Sequence, residues 1–186
     1  MTEKKKLLVL GHEASLSGAP KLLLKLLSDL KKEEFRIVIF LKTGGELVSD
    51  FFNIGETYLL DSLNKNPNRF VKYAIRFFPL HRLRSYYLKR KFQKFNPNLI
   101  LNYTVVNSKL FGYIESINCP LITIAQEKKL VINFFDKLKM NNSQAIFERT
   151  NHFLACSKSV KKDLVDEFNI EEHKIDVIYN SVSYFN

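Results

Sequence analysis

Lys6-Leu7-Leu8-Val9-Leu10-Gly11, followed by His12-Glu13-Ala14-Ser15-Leu16-Ser17-Gly18-Ala19-Pro20, decides how the rest of the chain is read. The run from Lys6 to Gly11 is almost wholly apolar and closes on glycine, as a buried strand does. Pro20 suits the first turn of a helix, where its missing N–H costs nothing. Leu22, Leu23, Leu26, Leu27 and Leu30 then recur at i, i+3 and i+4, a stripe that packs a helix on a sheet. The unit is strand, loop, helix. Its glycine precedes a helix start, where free N–H groups and the dipole favour an anion. Neither G-x-G-x-x-G nor G-K-[ST] is present, so spacing alone leaves the loop open between a plain turn and a phosphate site.

Outward from this unit the pattern repeats. Phe35 to Leu41 is a β-branched and aromatic run of the kind found in parallel strands covered on both faces, and Lys42-Thr43-Gly44-Gly45 ends it. A short helix is expected over Glu46 to Phe52 and a short strand near Thr57 to Leu60. Asn96-Pro97-Asn98 breaks the helical region before a fourth strand, Leu99 to Asn102. A helix over Asn107 to Ile117, strands at Leu121 to Ala125 and His152 to Ala155, a helix over Ser157 to Phe168 capped by Ser157 or Ser159, and a last strand at Lys174 to Tyr179 follow. This alternation predicts an α/β class: a single Rossmann-like domain over residues 1–186, a doubly wound parallel sheet with helices on both faces. Ligands bind such sheets outside the carboxyl ends of the strands.

With 186 residues the chain fits one domain that buries about 70% of its unfolded surface. Its 46% hydrophobic and 26% charged residues are ordinary globular values, which excludes disordered and fibrous classes. Cys119 and Cys156 have no metal-spaced partner and read as small buried apolar residues. The apolar run after Lys4-Lys5-Lys6 is too short for a signal peptide or a membrane span, so the expected location is cytoplasmic. No metal-ligand set is read, and His81, His152 and His173 stand alone. His12 is either a ligand-facing group or a satisfied loop histidine, and Glu13 and Glu127 are either cleft acids and bases or surface carboxylates.

The net charge of +10 is concentrated in one stretch. Between Ser62 and Ile114 there is no Asp or Glu, and ten bases lie between Lys65 and Lys94, which leaves 19 bases against 19 acids in the remainder. Arg76, Arg82, Arg84, Lys89, Arg90 and Lys91 alternate there with large rings, and Pro79 divides the segment. Three readings stand: rings packed on the sheet beneath solvated cations, docking to an anionic membrane surface, or single-strand nucleic-acid binding. No recognised nucleic-acid module supports the last, so no nucleic-acid partner is expected.

Several segments together resemble the amino-terminal domain of family-4 glycosyltransferases, which have the GT-B fold. They are Ser17-Gly18-Ala19, Asn98 to Asn102, Ile122-Thr123-Ile124-Ala125-Gln126-Glu127, Ala155 to Val160 and Lys174 to Val182, in the family's order. The resemblance implies retaining sugar transfer from a nucleotide-diphosphate sugar to a lipid-linked or other glycan acceptor, in cell-surface glycan biosynthesis at the cytoplasmic membrane face, without metal or cofactor. Ser17, Gly18 and Ala19 would face the donor phosphates and stabilise the leaving diphosphate. Glu13, Asn102, Thr104 and Ser157 would meet the acceptor, and Gln126 and Glu127 would be the catalytic pair. Gln126 stands where the family commonly has histidine, and Asn180-Ser181 where it has Asn-Gly. The family's donor-binding carboxy-terminal half, with its paired glutamates, is not matched, since only Ser183 to Asn186 follow Val182. By this reading the chain is half a cleft that lacks its C-terminal GT-B partner domain. The reading outside catalysis is a membrane- or glycan-binding module that keeps the fold alone.

Overall fold

The protein is described by a computed structural model over residues 4–32, 35–61 and 80–179. Among these residues, β1 (Lys6–Gly11), β2 (Arg36–Leu41), β3 (Glu56–Leu59), β4 (Leu99–Asn102), β5 (Leu121–Ala125), β6 (His152–Ala155) and β7 (Ile175–Val177) form one sheet in the spatial order β3-β2-β1-β4-β5-β6-β7. Every neighbouring pair is parallel. The chain winds outward from β1 to β3, crosses back to β4 and winds outward the other way, which puts helices on both faces. This is the Rossmann-like arrangement that the alternation predicted.

Side-chain alternation along the strands assigns the two faces. Leu7, Val9, Ile37 and Ile39 pack under α1 (Gly18–Lys32) and α2 (Val48–Ile54), with Leu23, Leu27 and Phe51 as the buried helix positions. Leu8, Leu10, Val38, Phe40 and Ile100 face the other side, where α3 (Leu80–Phe95) inserts Leu88 and Phe92 and α4 (Ser108–Phe111) inserts Leu110 and Phe111. A third cluster joins Ala125, Phe153 and Ala155 to α5 (Lys129–Lys137), α6 (Ser143–Arg149) and α7 (Lys158–Asp166) through Ile132, Phe147, Val160 and Leu164. Ser157 caps α7 by accepting from the Val160 N–H at 3.2 Å.

The differences from the sequence-based expectation are local. The helix expected over Asn107 to Ile117 stops at Phe111: Gly112 follows, and Tyr113, Ile114 and Ile117 instead bond three residues back. Helices α5 and α6, between β5 and β6, were not anticipated. Both cysteines are half-buried free thiols rather than fully buried residues.

Candidate functional site

Strand order reverses between β1 and β4, and at such a point the loops leaving the two neighbours diverge and open a crevice at their carboxyl ends. A cleft of about 110 Å³ lies there. His12 and Glu13 line it from the end of β1, and Ala19, Pro20 and Leu23 from the first turns of α1. Tyr103, Thr104 and Val106 line it from the end of β4, and Gln126 and Glu127 from the end of β5.

The loop before α1 is organised by its own polar groups. Glu13 accepts from the Ser15 hydroxyl at 2.7 Å, and the Ser15 and Ser17 hydroxyls are 2.9 Å apart. Gly18 and Ala19 are exposed at the start of α1. A Cβ built on Gly18 meets nothing within 4 Å, so the chain's own packing makes no demand for glycine there. The demand falls on Gly45 instead, where a Cβ would lie 2.3 Å from the carbonyl oxygen of Ala14. The close approach lets the Leu47 N–H donate to that same oxygen at 2.8 Å, which braces the β1–α1 loop against the loop after β2.

Across the cleft, Glu127 is the organising group. Its carboxylate accepts from the Thr104 hydroxyl and from the backbone N–H groups of Val105 and Gln126, the last two at 3.2 Å. Thr104 has φ of 150°, a backbone conformation that side chains rarely adopt, so these bonds hold a strained residue at the crevice. Asn102 is fully buried and spends its amide on the Thr104 carbonyl at 2.7 Å and the Thr123 hydroxyl at 3.4 Å. Asn102 therefore shapes the loop from beneath, and Ser157 caps its helix; neither lines the cleft. Gln126 does line it, and its buried Nε2 has no partner of good hydrogen-bond geometry among the described residues. Burial raises the Tyr103 phenol above its ordinary pKa, with the Gln126 amide pulling the other way.

One pairing at this site is invisible in the sequence. The ammonium of Lys42, a buried residue just past β2, lies 3.1 Å from His12 Nε2, and His12 Nδ1 is 4.0 Å from Glu13. Burial first, and then the Lys42 charge, hold the His12 pKa below the ordinary histidine value. Lys42 is itself held low by burial and by Lys109. A neutral His12 that accepts from Lys42 fits this geometry. The only advance signal was a lysine directly after a buried strand. Among the described residues no three His, Cys, Asp or Glu side chains gather as a metal would require.

The basic helix α3 sits elsewhere. Arg84 turns inward and donates to the carbonyls of Leu59 and Leu60. Lys91 pairs with Glu56 at 2.8 Å, and Lys89 lies 4.0 Å from Glu115. Arg82 and Arg90 are exposed, with Arg90 stacked over Tyr86. Arg76, Asn180 and Ser181 lie outside the described residues. A groove of about 480 Å³ runs between the end of α3 and the amino-terminal ends of β1 to β3, lined by Lys6, Arg36, Glu56, Arg90, Lys91 and Lys94. Of the residues expected to act together, the structure brings Glu13, Ala19, Thr104, Gln126 and Glu127 to one cleft, with Ser17 and Gly18 at its rim.

Comparison with solved structures returns the same architecture. A glycosyltransferase from Rickettsia africae superposes with a TM-score of 0.58 at 17% identity, covering 96% of this chain and 43% of that one. Anabaena Alr3699/HepE in complex with UDP and glucose gives 0.63 at 14%, covering 96% and 45%. UDP-GlcNAc 2-epimerase from Neisseria meningitidis bound to UDP-GlcNAc gives 0.56 at 18%, covering 93% and 45%. The chain thus spans a little under half the length of these structures, which identifies its sheet with one half of a GT-B fold. No curated protein sequence matches it. The family model for Glycosyltransferase Family 4 matches residues 16–184, nearly the whole chain, and the chain belongs to that family.

Proposed function

We propose that this chain is the acceptor-side domain of a retaining, nucleotide-sugar-dependent glycosyltransferase that builds a cell-surface glycan at the cytoplasmic membrane face. The observation that carries this reading is the cleft itself. It lies at the strand-order reversal, is bounded by the first turn of α1, and contains a buried amide donor, Gln126 Nε2, lacking a good partner. Relatives of this fold hold UDP or UDP-sugars.

In the proposed reaction the bond from the anomeric carbon to the diphosphate oxygen breaks as an acceptor hydroxyl bonds to that carbon on the same face, its proton passes to the departing phosphate oxygen, and negative charge grows on the diphosphate as it leaves. The Gly18 and Ala19 amides, with the α1 dipole behind them, favour that charge, and Gly18 carries no side chain to hold it at a distance. Ser17 extends the rim. Gln126 Nε2 suits a sugar hydroxyl as acceptor. Glu127 acts as a positioning residue, because its carboxylate is already committed to Thr104 and two amides. Glu13 orders the serines beside the phosphate site and faces the acceptor. The donor's nucleotide is held by the other GT-B half.

Titration of the isotopically labelled chain with UDP and UDP-sugars, with a donor-binding half supplied and the signals read at this chain's amides, tests this. Shifts concentrated at Ser17 to Ala19 and at the Gln126 side chain are expected. Shifts confined to residues away from the cleft would refute the placement. Transfer activity is then sought with a donor-binding half supplied; binding without any transfer would favour the non-catalytic module.

A further inference from the structure

Helix α5 and the turn after it present an apolar surface that the sheet does not use. Ile132 is the helix's buried anchor, while Leu130 is 77%, Val131 42% and Phe134 58% exposed, and Leu138 and Met140 continue the ridge. These five are among twelve large apolar side chains exposed over all the described residues, so the concentration within Leu130–Met140 is local to this element. Lys139 takes a left-handed φ of 55°, and the Met140 N–H bonds back to Phe135, which ends the helix with Leu138 and Met140 outward.

The exposed charges on the ridge itself are of one sign, while the acids beside its start, Asp163 of α7 and Glu167 just after it, are paired with Lys128 and Lys129. Lys137 and Lys139 are exposed on it. Asp136, the sole acid between Glu127 and Glu148, is turned into the protein, accepting from Asn141 Nδ2 at 2.9 Å and from the Ser143 N–H at 3.1 Å. The start of the element is clamped to α7, by Lys128 to Asp163 and Lys129 to Glu167. A second copy docked through the same patch would set lysines against lysines, since a two-fold interface repeats its own surface. An anionic bilayer complements both the rings and the charge.

We infer that Lys129–Met140 is a membrane-docking element that places Leu130, Phe134, Leu138 and Met140 at the acyl boundary of an anionic bilayer, with Lys137 and Lys139 on the headgroups. It begins two residues after Glu127, so docking sets the cleft beside the lipid surface from which a lipid-linked acceptor is drawn. Only this last clause rests on the proposed function. Vesicle binding needs neither donor nor acceptor, so the two readings fail separately.

The chain contains no tryptophan, so Phe134→Trp supplies a single fluorescent reporter. Its emission should shift to the blue with vesicles of phosphatidylcholine plus phosphatidylglycerol, and shift far less with phosphatidylcholine alone. In flotation, Leu130→Ser/Phe134→Ser/Leu138→Ser should lower vesicle affinity about a hundredfold with unchanged melting, because the three side chains are already in water. Lys137→Glu/Lys139→Glu should remove the preference for anionic vesicles, a loss of at least about tenfold. Three results would each overturn the inference: no binding to either vesicle, undiminished binding by the triple-serine variant while Arg82→Glu/Arg90→Glu on α3 abolishes it, or a dimer by light scattering that the triple-serine variant converts to monomer.

Discussion

Replacing Gly45 with alanine should unseat the loop that carries the candidate phosphate site. The added Cβ would lie 2.3 Å from the Ala14 oxygen, 2.4 Å from its carbonyl carbon and 2.7 Å from the Ser15 nitrogen. All three are backbone atoms, which cannot rotate aside. Relief requires the two loops to separate, which breaks the 2.8 Å bond from the Leu47 N–H to Ala14. The lost bond costs about 1 kcal/mol and the residual strain about 1–3 kcal/mol. Stiffening of the unfolded chain offsets about 0.4–1 kcal/mol. The net of about 2–3 kcal/mol lowers the melting temperature by roughly 5–10 °C for a chain of this size. Gly18→Ala is the matched control. Nothing stands within 4 Å of its new Cβ, so the same entropic gain should raise the melting temperature by about 1–3 °C while weakening any shift that nucleotide sugars induce at Ala19. Thermal unfolding followed by circular dichroism measures both. A Gly45→Ala protein that melts with the wild type would show that the two loops are not braced.

Other consequences are as direct. Glu127→Gln keeps the shape but supplies an amide where two backbone N–H groups and a hydroxyl need acceptors, so denaturant unfolding should show a loss of about 1–3 kcal/mol. Phe92→Ala empties the fully buried contact of α3 with Phe40 and Tyr58 and should cost about 3–5 kcal/mol in the same assay, whereas Arg82→Glu should leave stability near wild type. Because the folded His12 pKa lies below 6.5, the unfolded chain binds the extra proton first. Its contribution to stability is complete above pH 6.5 and declines as pH falls from there toward the folded value, and His12→Asn should flatten that part of the stability profile.

Strands announced themselves where an apolar run ends in a residue that cannot continue it. β1 closes on Gly11, β4 is entered from Asn96-Pro97-Asn98 and β5 from Pro120, and their bounds are those expected. α5 is hard to read although Leu130, Phe134 and Leu138 recur at helical spacing, because the short apolar run Leu130-Val131-Ile132-Asn133-Phe134-Phe135 suits a strand as well as a helix, and only Ile132 of it is fully buried. At the site, the glycine loop and the Gln126-Glu127 pair could be picked out as polar residues leaving strands. The sequence does not tell a polar residue that meets a ligand from one that holds a loop. Asn102 and Ser157 have partners inside the fold, the Thr104 carbonyl and the Val160 amide, that the sequence does not reveal. The contact of Lys42 with His12 joins residues thirty apart in sequence and belongs to the parallel pairing of β1 with β2.

The brace at Gly45 has a mechanical consequence. With Leu47 bonded to Ala14 and the Thr43 N–H bonded to the His12 carbonyl at 3.0 Å, the rim after β1 is stitched to the end of β2 at two points. That rim therefore behaves as a stiff jaw. It keeps one shape, so whatever enters the cleft meets a preformed wall on this side rather than a loop that must first be ordered.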